Sequence, residues 1–447
     1  MKQVKDTSAL GIVKLAWPAM LDYFLITLLS LVDLFFVSKL GSQAVATVGV
    51  GWPVMFVINS LAMSLGTGTA AVVAHHVGAG KTNMAKQAIA SAVMVFSLVI
   101  FLLSLVFAAL AGPIYSLFAV DAGVKAMGTV YLSVLMPFLG LRAIYFMVAY
   151  SLRAGGDMKT PLAMSATALA VGLLSDALLI PKMHVFGAGL AHGAVSTSLG
   201  LFALAALFFG QGVRPGDAFR GLRQIPTILK ISWPAIAEQL VMRVGFLGFT
   251  RLVTGLGTVA IAAHILAVRL EALSFMPAVG FGAAAGTLAG QHLGAGQAKE
   301  ASFAVARVVK MGMGIMTVFG FLLIILASGL TGIFSPEPGV RELAILLITV
   351  AAVEQPAFGL YMPYLWAIRV TGWTKGALGL AAVGSFVTRV PLGYFFGYVL
   401  GWGVVGVWFG GILDWYIRGI LAMFAFRWGR WKKVWKRVPP EPCEDMA

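Results

Sequence analysis

The sequence predicts an all-α integral membrane protein: twelve transmembrane helices arranged as two six-helix lobes related by a pseudo-twofold axis along the membrane normal. Three observations predict it. Of 447 residues, 60% are hydrophobic and 11% charged, against about 25% charged in a soluble domain. So few charges cannot cover a water-facing surface, whereas a lipid-facing surface needs none. Apolar stretches of about 20 residues, the length that crosses a bilayer, recur along the whole chain. Finally, the chain aligns with itself at one constant shift, the one that carries Trp17 onto Trp233.

Taken in order, the apolar stretches fall near 13–37, 46–74, 88–112, 127–151, 161–181, 189–211, 228–250, 258–289, 302–329, 342–367, 377–399 and 403–426. Short polar links separate them, such as Gly78-Ala79-Gly80-Lys81-Thr82-Asn83 and Pro336-Glu337-Pro338. The 53 glycines suit helices that pack closely inside a membrane. No cleavable signal peptide is expected, because the first apolar stretch is too long and many more follow it. The lone Cys443 lies in a polar tail, so no disulfide framework is expected.

The net charge is +15, which in a soluble protein points to nucleic acid. Here the cations sort by loop instead. One side collects Lys2, Lys5, Lys14, Lys81, Lys86, Arg153, Lys159, Arg214, Arg220, Arg223 and Lys230. It continues with Lys299, Arg307, Lys310, Arg369, Lys375, Arg427, Arg430, Lys432, Lys433, Lys436 and Arg437. The other side has Lys39, Lys125, Lys182 and Arg341, so the count is 22 against 4. Lys and Arg gather in cytoplasmic loops. Both termini are therefore expected in the cytoplasm, which requires an even number of spans, in a plasma (bacterial inner) membrane. The tail interleaves Trp428, Trp431 and Trp435 with its cations. That pattern reads as an anchor on an anionic lipid surface, with no nucleic-acid partner.

The internal match holds at distant points. Trp17-Pro18-Ala19 matches Trp233-Pro234-Ala235, and Leu40-Gly41 matches Leu256-Gly257. His76-Val77-Gly78-Ala79-Gly80 matches His292-Leu293-Gly294-Ala295-Gly296. Gly66 matches Gly282, and Gly187 matches Gly403. Arg153, Gly156 and Lys159 match Arg369, Gly372 and Lys375. The expected units are a six-helix lobe over 1–213, a second over 214–427, and a basic, aromatic tail over 428–447. Six is even, so both lobes enter from the same side, as in parallel-repeat transporters. Such lobes leave a cavity between them, and their rocking gives alternating access.

Several segments, in order and spanning nearly the whole chain, resemble the multidrug and toxic compound extrusion (MATE) family. They are Pro18, Val32-Asp33-Leu34-Phe35-Phe36-Val37, Leu40-Gly41 with Ala44, Val77-Gly78-Ala79-Gly80 and Leu152-Arg153-Ala154-Gly155-Gly156-Asp157. Asp176-Ala177-Leu178-Leu179-Ile180 and Arg389-Val390-Pro391-Leu392 complete the set. The resemblance implies export of amphipathic or cationic organic compounds, driven by inward flow of protons or sodium. It is similar above all to the DinF-like branch, whose acidic site lies in the N-terminal lobe. Two positions depart from the family. Gly172 stands where an Asn often precedes the acid of the fifth helix. Glu238 and Glu354 are displaced from the carboxylates of the NorM-like, sodium-coupled branch. Both departures weaken a sodium cage.

Charged groups inside a span cost a few kcal/mol on insertion scales and tend to be functional. Asp22, Asp33, Asp176, Glu238 and Glu271 lie within spans, with Glu354 and Asp414 in late ones. By the resemblance, Asp33 and Asp176 are the ion-coupling acids, expected within a water's reach of each other, with hydroxyls from Thr197 and Ser198 nearby. The alternative is that they are hydrogen-bond acceptors bracing helices one and five. Asp22 lies 11 residues before Asp33, on the same helix face and about 16 Å away in depth. It matches Glu238 under the repeat shift. The two acids either face each other across the cavity, receiving a cationic substrate, or each pairs with an Arg of its own lobe, for instance Arg243 for Glu238. Tyr23, Met20, Met55, Tyr145, Met147, Phe275, Met276 and Tyr361 are the soft and aromatic side chains from which the substrate cavity draws. Each one singly also suits lipid or helix packing. Arg269 and Glu271 are two residues apart and cannot face each other on one helix, so both read as members of separate ion pairs.

No catalytic constellation emerges, and no metal or other cofactor is expected beyond the coupling ion. Gly78-Ala79-Gly80-Lys81-Thr82 lacks the leading Gly of a phosphate loop, having His75 there, and it follows a membrane helix. His75 and His76 point to different faces of one helix. The function expected is a secondary antiporter for small organic compounds, acting as a monomer. Two other readings compete. A lipid-linked saccharide flippase should line its cavity with several Arg for a pyrophosphate. A non-transporting receptor or channel has no use for the repeat.

Overall fold

The computed structural model describes residues 4, 6–118, 120–334, 337–428 and 431, and every regular element among them is helical. The first spans are α1 Ala9–Ser38, α2 Ser42–Gly78, α3 Thr82–Ala109 and α4 Ala122–Ala154. The next helix, Lys159–Ala205, has 47 residues. At about 1.5 Å per residue that length suffices for two crossings. It breaks at His184, just after Pro181, where φ is 54° and ψ −131°. The turn is tight: a Cβ on Gly187 would run into the carbonyl oxygen of Leu179, so only glycine fits there. The two arms are α5 and α6.

The second lobe runs through α7 Ile225–Thr254, then α8 in two pieces, Thr258–Ser274 and Met276–Gly294. Next come α9 Ala298–Phe334, α10 in two pieces, Pro338–Ala352 and Gln355–Val370, α11 Thr374–Val399 and α12 Gly403–Trp428. The pieces of α8 meet at 47° and those of α10 at 52°. Each second piece carries a proline in its first turn, Pro277 and Pro356, which removes a backbone donor and favours the bend. Eight helices are long and apolar enough to cross a membrane alone, and the two bent pairs make ten. That count takes α5 and α6 as one. It leaves out α7, which has 30 residues but carries Lys230, Glu238, Arg243 and Arg251. The spans therefore number twelve. Large apolar side chains such as Leu247, Phe321 and Ile325 stand exposed around the bundle, where lipid covers them. Of the tail, only Trp428 and Trp431 are described, Trp431 stacking on Phe426 at 4.9 Å. The other tail cations and Cys443 lie outside the described residues.

The repeat is visible in the backbone itself. Gly41 and Gly257 have φ of 100° and 106°, Gly80 and Gly296 of 76° and 75°, Gly156 and Gly372 of 85° and 80°. Each pair is related by the same shift that carries Trp17 onto Trp233. Side chains rarely tolerate positive φ, so equal turns at equal register account for these glycines. Pro18 and Pro234 likewise both lie inside the first helix of their lobe.

The lobes meet on the side that carries the basic loops. A Cβ on Gly78 would clash with the Gln291 carbonyl oxygen, and one on Gly294 with that of His75. Gly78 and Gly294 are repeat mates, so this crossing straddles the pseudo-twofold axis. Hydrogen bonds latch it. The Thr287 hydroxyl donates to the Arg153 carbonyl at 2.7 Å, and the Gln291 amide to that of Ala154 at 2.9 Å. The backbone N–H of Val4 donates to Gln291 Oε1 at 2.7 Å.

Candidate functional site

Asp33 and Asp176 line one small cleft inside the first lobe, with Ser30, Arg142 and His192. Both acids are buried. Asp33 Oδ1 lies 3.4 Å from His192 Nδ1. Asp33 Oδ1, Asp176 Oδ2 and Arg142 Nε are buried without a hydrogen-bond partner. Buried polar groups are nearly always satisfied, so a cluster of unsatisfied atoms around one cleft marks a place where something binds or moves. Thr197 and Ser198 do not join it. Their hydroxyls donate to carbonyls of their own helix, those of Gly193 and Val195, at 2.8 Å. The sequence reading of intramembrane acids passed over Arg142 and His192. An intramembrane cation is as costly as an anion, and that signal was available in the fourth and sixth spans.

Asp22 and Glu238 do not offer free charge to the cavity in this structure. Asp22 is fully buried, paired with Arg153 and accepting from Ser165. Glu238 accepts two hydrogen bonds from Arg369, at 2.6 Å from Nη2 and 3.2 Å from Nε. This is the own-lobe arrangement, with one correction. The partner of Glu238 is Arg369, whereas Arg243 lies 3.3 Å from the ring centroid of Phe56. Arg153 and Arg369 are themselves repeat mates, so the two ion pairs are copies of each other.

Both arginines line a second, narrow cleft between the lobes. Its lining repeats across the axis. Thr67, Ala70, Tyr150, Arg153 and Ala154 face Ala283, Gly286, Trp366, Arg369 and Val370, each pair related by the repeat shift. Tyr150 and Trp366 stack across the boundary at 6.1 Å and 19°, and Tyr23 meets Trp366 edge-on at 6.4 Å. Met276 and Met20 also reach across. Met276 accepts from the Thr27 hydroxyl at 3.8 Å, and Met20 packs where Gly280 leaves room. The other soft side chains pack inside a lobe. Tyr131 donates to Met55, Thr69 to Met147, and the hydroxyls of Tyr145 and Ser165 share a hydrogen bond. Phe275 leans on Phe358, and Tyr361 on Trp415.

The second lobe has a buried charged cluster of its own. Asp414 accepts from Arg389 at 2.9 Å, from Arg418 at 2.5 and 2.7 Å, and from Thr388. Glu271 and Glu354 are both buried where α8 and α10 bend, and Glu271 Oε1 has no hydrogen-bond partner. The separate ion pairs expected of Arg269 and Glu271 do not form among the described residues: Arg269 is exposed and Glu271 faces Glu354. Helix breaks put these acids side by side, which spacing on an unbroken helix could not reveal.

The MatE family model matches the chain twice, over residues 18–178 and 234–395. The two matches begin at Pro18 and Pro234, which the shift read from the sequence carries onto each other. A probable multidrug resistance protein NorM of Thermotoga maritima is 24% identical over 438 residues, covering 94% of this chain and 93% of that protein. A protein of Shewanella oneidensis named as an FAD transporter is 22% identical over 401 residues, covering 87% and 88%. Among solved structures, an outward-facing multidrug resistance MATE family transporter of the MOP superfamily superposes with a TM-score of 0.88. It is 21% identical, and the match covers 93% of this chain and 94% of that one.

Proposed function

Because this chain belongs to the MatE family, we propose that it is a secondary antiporter, exporting small organic compounds in exchange for an inward-moving cation by alternating access of its two lobes. The observation that carries the coupling is the first-lobe cleft, where Asp33 and Asp176 present buried oxygens without a hydrogen-bond partner. A cation arriving there, a proton or sodium, removes the repulsion between two carboxylates and changes the contacts between α1 and α5. Helix α1 is the element proposed to respond, since Pro18 interrupts its hydrogen-bond ladder. The basic side is proposed to be cytoplasmic. The closed Gly78–Gly294 crossing then corresponds to an outward-facing state.

The inter-lobe cleft supports amphipathic substrates with an aromatic surface, contacted by Tyr150 and Trp366. Its two arginines are each neutralised by an acid of the same lobe. That balance supports neither the cation trap expected of Asp22 and Glu238 nor a pyrophosphate site, so the flippase reading loses its main requirement. The test is ethidium export from liposomes containing the purified protein, with an imposed cation gradient. Asp33→Asn should abolish export, and Asp176→Asn should abolish or strongly reduce it. Wild-type rates in Asp33→Asn at equal reconstitution would remove the coupling role from this cleft.

A further inference from the structure

Arg243 is an intramembrane cation that neither lobe neutralises. It lies on α7, about 16 Å from the end of that helix opposite the basic loops, and its side chain is exposed. Among the described residues no carboxylate pairs with it and no oxygen accepts from it. Its contacts are two aromatic rings of α2, in the other lobe. The guanidinium carbon stands 3.3 Å from the ring centroid of Phe56 and 5.9 Å from that of Trp52. The two rings stack on each other at 5.6 Å and 29°. Aromatic faces take up part of the charge, but they leave the five N–H donors of a guanidinium without oxygen acceptors. A charge so placed inside a span is costly and marks a functional position.

The surroundings say what would complete it. Leu240, Val244 and Leu247 are 56%, 53% and 70% exposed, and their spacing puts them on the same face of α7 as Arg243. An exposed cation within an exposed apolar stripe is complementary to an amphipath with an acidic head. A carboxylate matches the guanidinium fork, and a hydrocarbon chain covers the stripe. The site lies at the seam where α2 and α7 join the lobes. About 18 Å along α2 toward the basic side, the same two helices touch so closely that a Cβ on Gly68 would run into the Ser232 hydroxyl. At the matching seam between α1 and α8, the repeat mate of Arg243 is Thr27, whose hydroxyl donates to Met276. Only one of the two seams therefore carries a cation at this register.

We propose that Arg243, on its Trp52–Phe56 platform, is a binding site for a membrane-dissolved amphipathic acid with a single apolar chain. Its carboxylate sits on the guanidinium and its chain along Leu240, Val244 and Leu247. A single stripe suits one chain, and the phosphate of a bilayer lipid stays at the headgroup level, outside the hydrocarbon. The site goes beyond the antiporter reading and needs neither the coupling acids nor transport.

The test uses Trp52 as the reporter, since it is 49% exposed beside the guanidinium. Purified full-length protein in nanodiscs of zwitterionic lipid is titrated with a brominated long-chain fatty acid, at alkaline pH so that the acid is ionised. Bromine quenches tryptophan at short range, and the Trp52→Phe variant isolates the Trp52 signal. The acid should quench Trp52 at about tenfold lower concentration than its methyl ester. Arg243→Gln should abolish that preference, and Arg243→Lys should keep part of it, because Lys retains the charge without the fork. Equal potency of acid and ester in wild type overturns the proposal, as does a preference that survives Arg243→Gln. Quenching of Trp52 by a brominated anionic phospholipid, with none by the acid, also overturns it and makes the seam a phospholipid site. Should Arg243→Gln fail to fold, the acid and ester compared in wild type and in Arg243→Lys still decide.

Discussion

Asp22 and Arg153 are 0% and 4% exposed, so neither charge can find water if the other is removed. Taking away one member of such a pair costs about 3–5 kcal/mol, whereas replacing both with apolar groups is often neutral. Asp22→Ala should therefore lower the melting temperature in detergent sharply, and Asp22→Leu with Arg153→Met should restore most of it. Glu238→Ala should cost less, because the side chain of Arg369 is 18% exposed and can be partly solvated. Equal losses at the two pairs, read by intrinsic tryptophan fluorescence on heating, would contradict this ranking. The depth match of Asp22 and Glu238 was legible from the repeat shift alone. Their partners were not. Arg153 and Arg369 read as loop cations, whereas each helix continues past them, to Ala154 and Val370, and turns the guanidinium inward.

Among the elements, the α5–α6 reversal carries the one visible backbone strain among the described residues. His184 has φ of 54° and ψ of −131°, and a non-glycine side chain held in so sparsely populated a region costs about 1–3 kcal/mol. His184→Gly should raise thermal stability by about 1 kcal/mol, after the entropy that glycine restores to the unfolded chain. A β-branched His184→Val should lower it. A drop in stability for the glycine variant would show that the His184 side chain contributes more than its backbone loses. The reversal itself was legible, since apolar stretches ending at 181 and restarting at 189 leave room for a link. The bends in α8 and α10 were not resolved as separate pieces, although Pro277 and Pro356 mark them. A continuous apolar stretch hides a break that costs only a backbone hydrogen bond. That concealment is why the meeting of Glu271 with Glu354 escaped the sequence.

At the scale of the whole molecule, twelve helices and two parallel lobes followed from composition, run length and one constant shift. The closed state of the basic side did not, because closure depends on which glycines touch. Gly78→Leu should prevent that contact and shift the population toward a form open on the basic side. A cysteine replacing Thr287, in a Cys443→Ala background, should then react with maleimide about tenfold faster than in the Gly78 parent, a shift of about 1.4 kcal/mol in the opening equilibrium. Unchanged reactivity would mean that the lobes close without this contact. The crossing also bears on ancestry. Gly78 and Gly294 occupy equivalent positions on either side of the axis, as one residue does on the two subunits of a twofold dimer. Two copies of one half would meet through such a contact without any change, since it is self-complementary. Each half starts and ends on the same face, so a short connection, here between Gly210 and Ile225, suffices to join two such halves into one chain. The two copies now differ in their buried charges, the first lobe carrying the Asp33–Asp176 cleft and the second the Asp414 cluster.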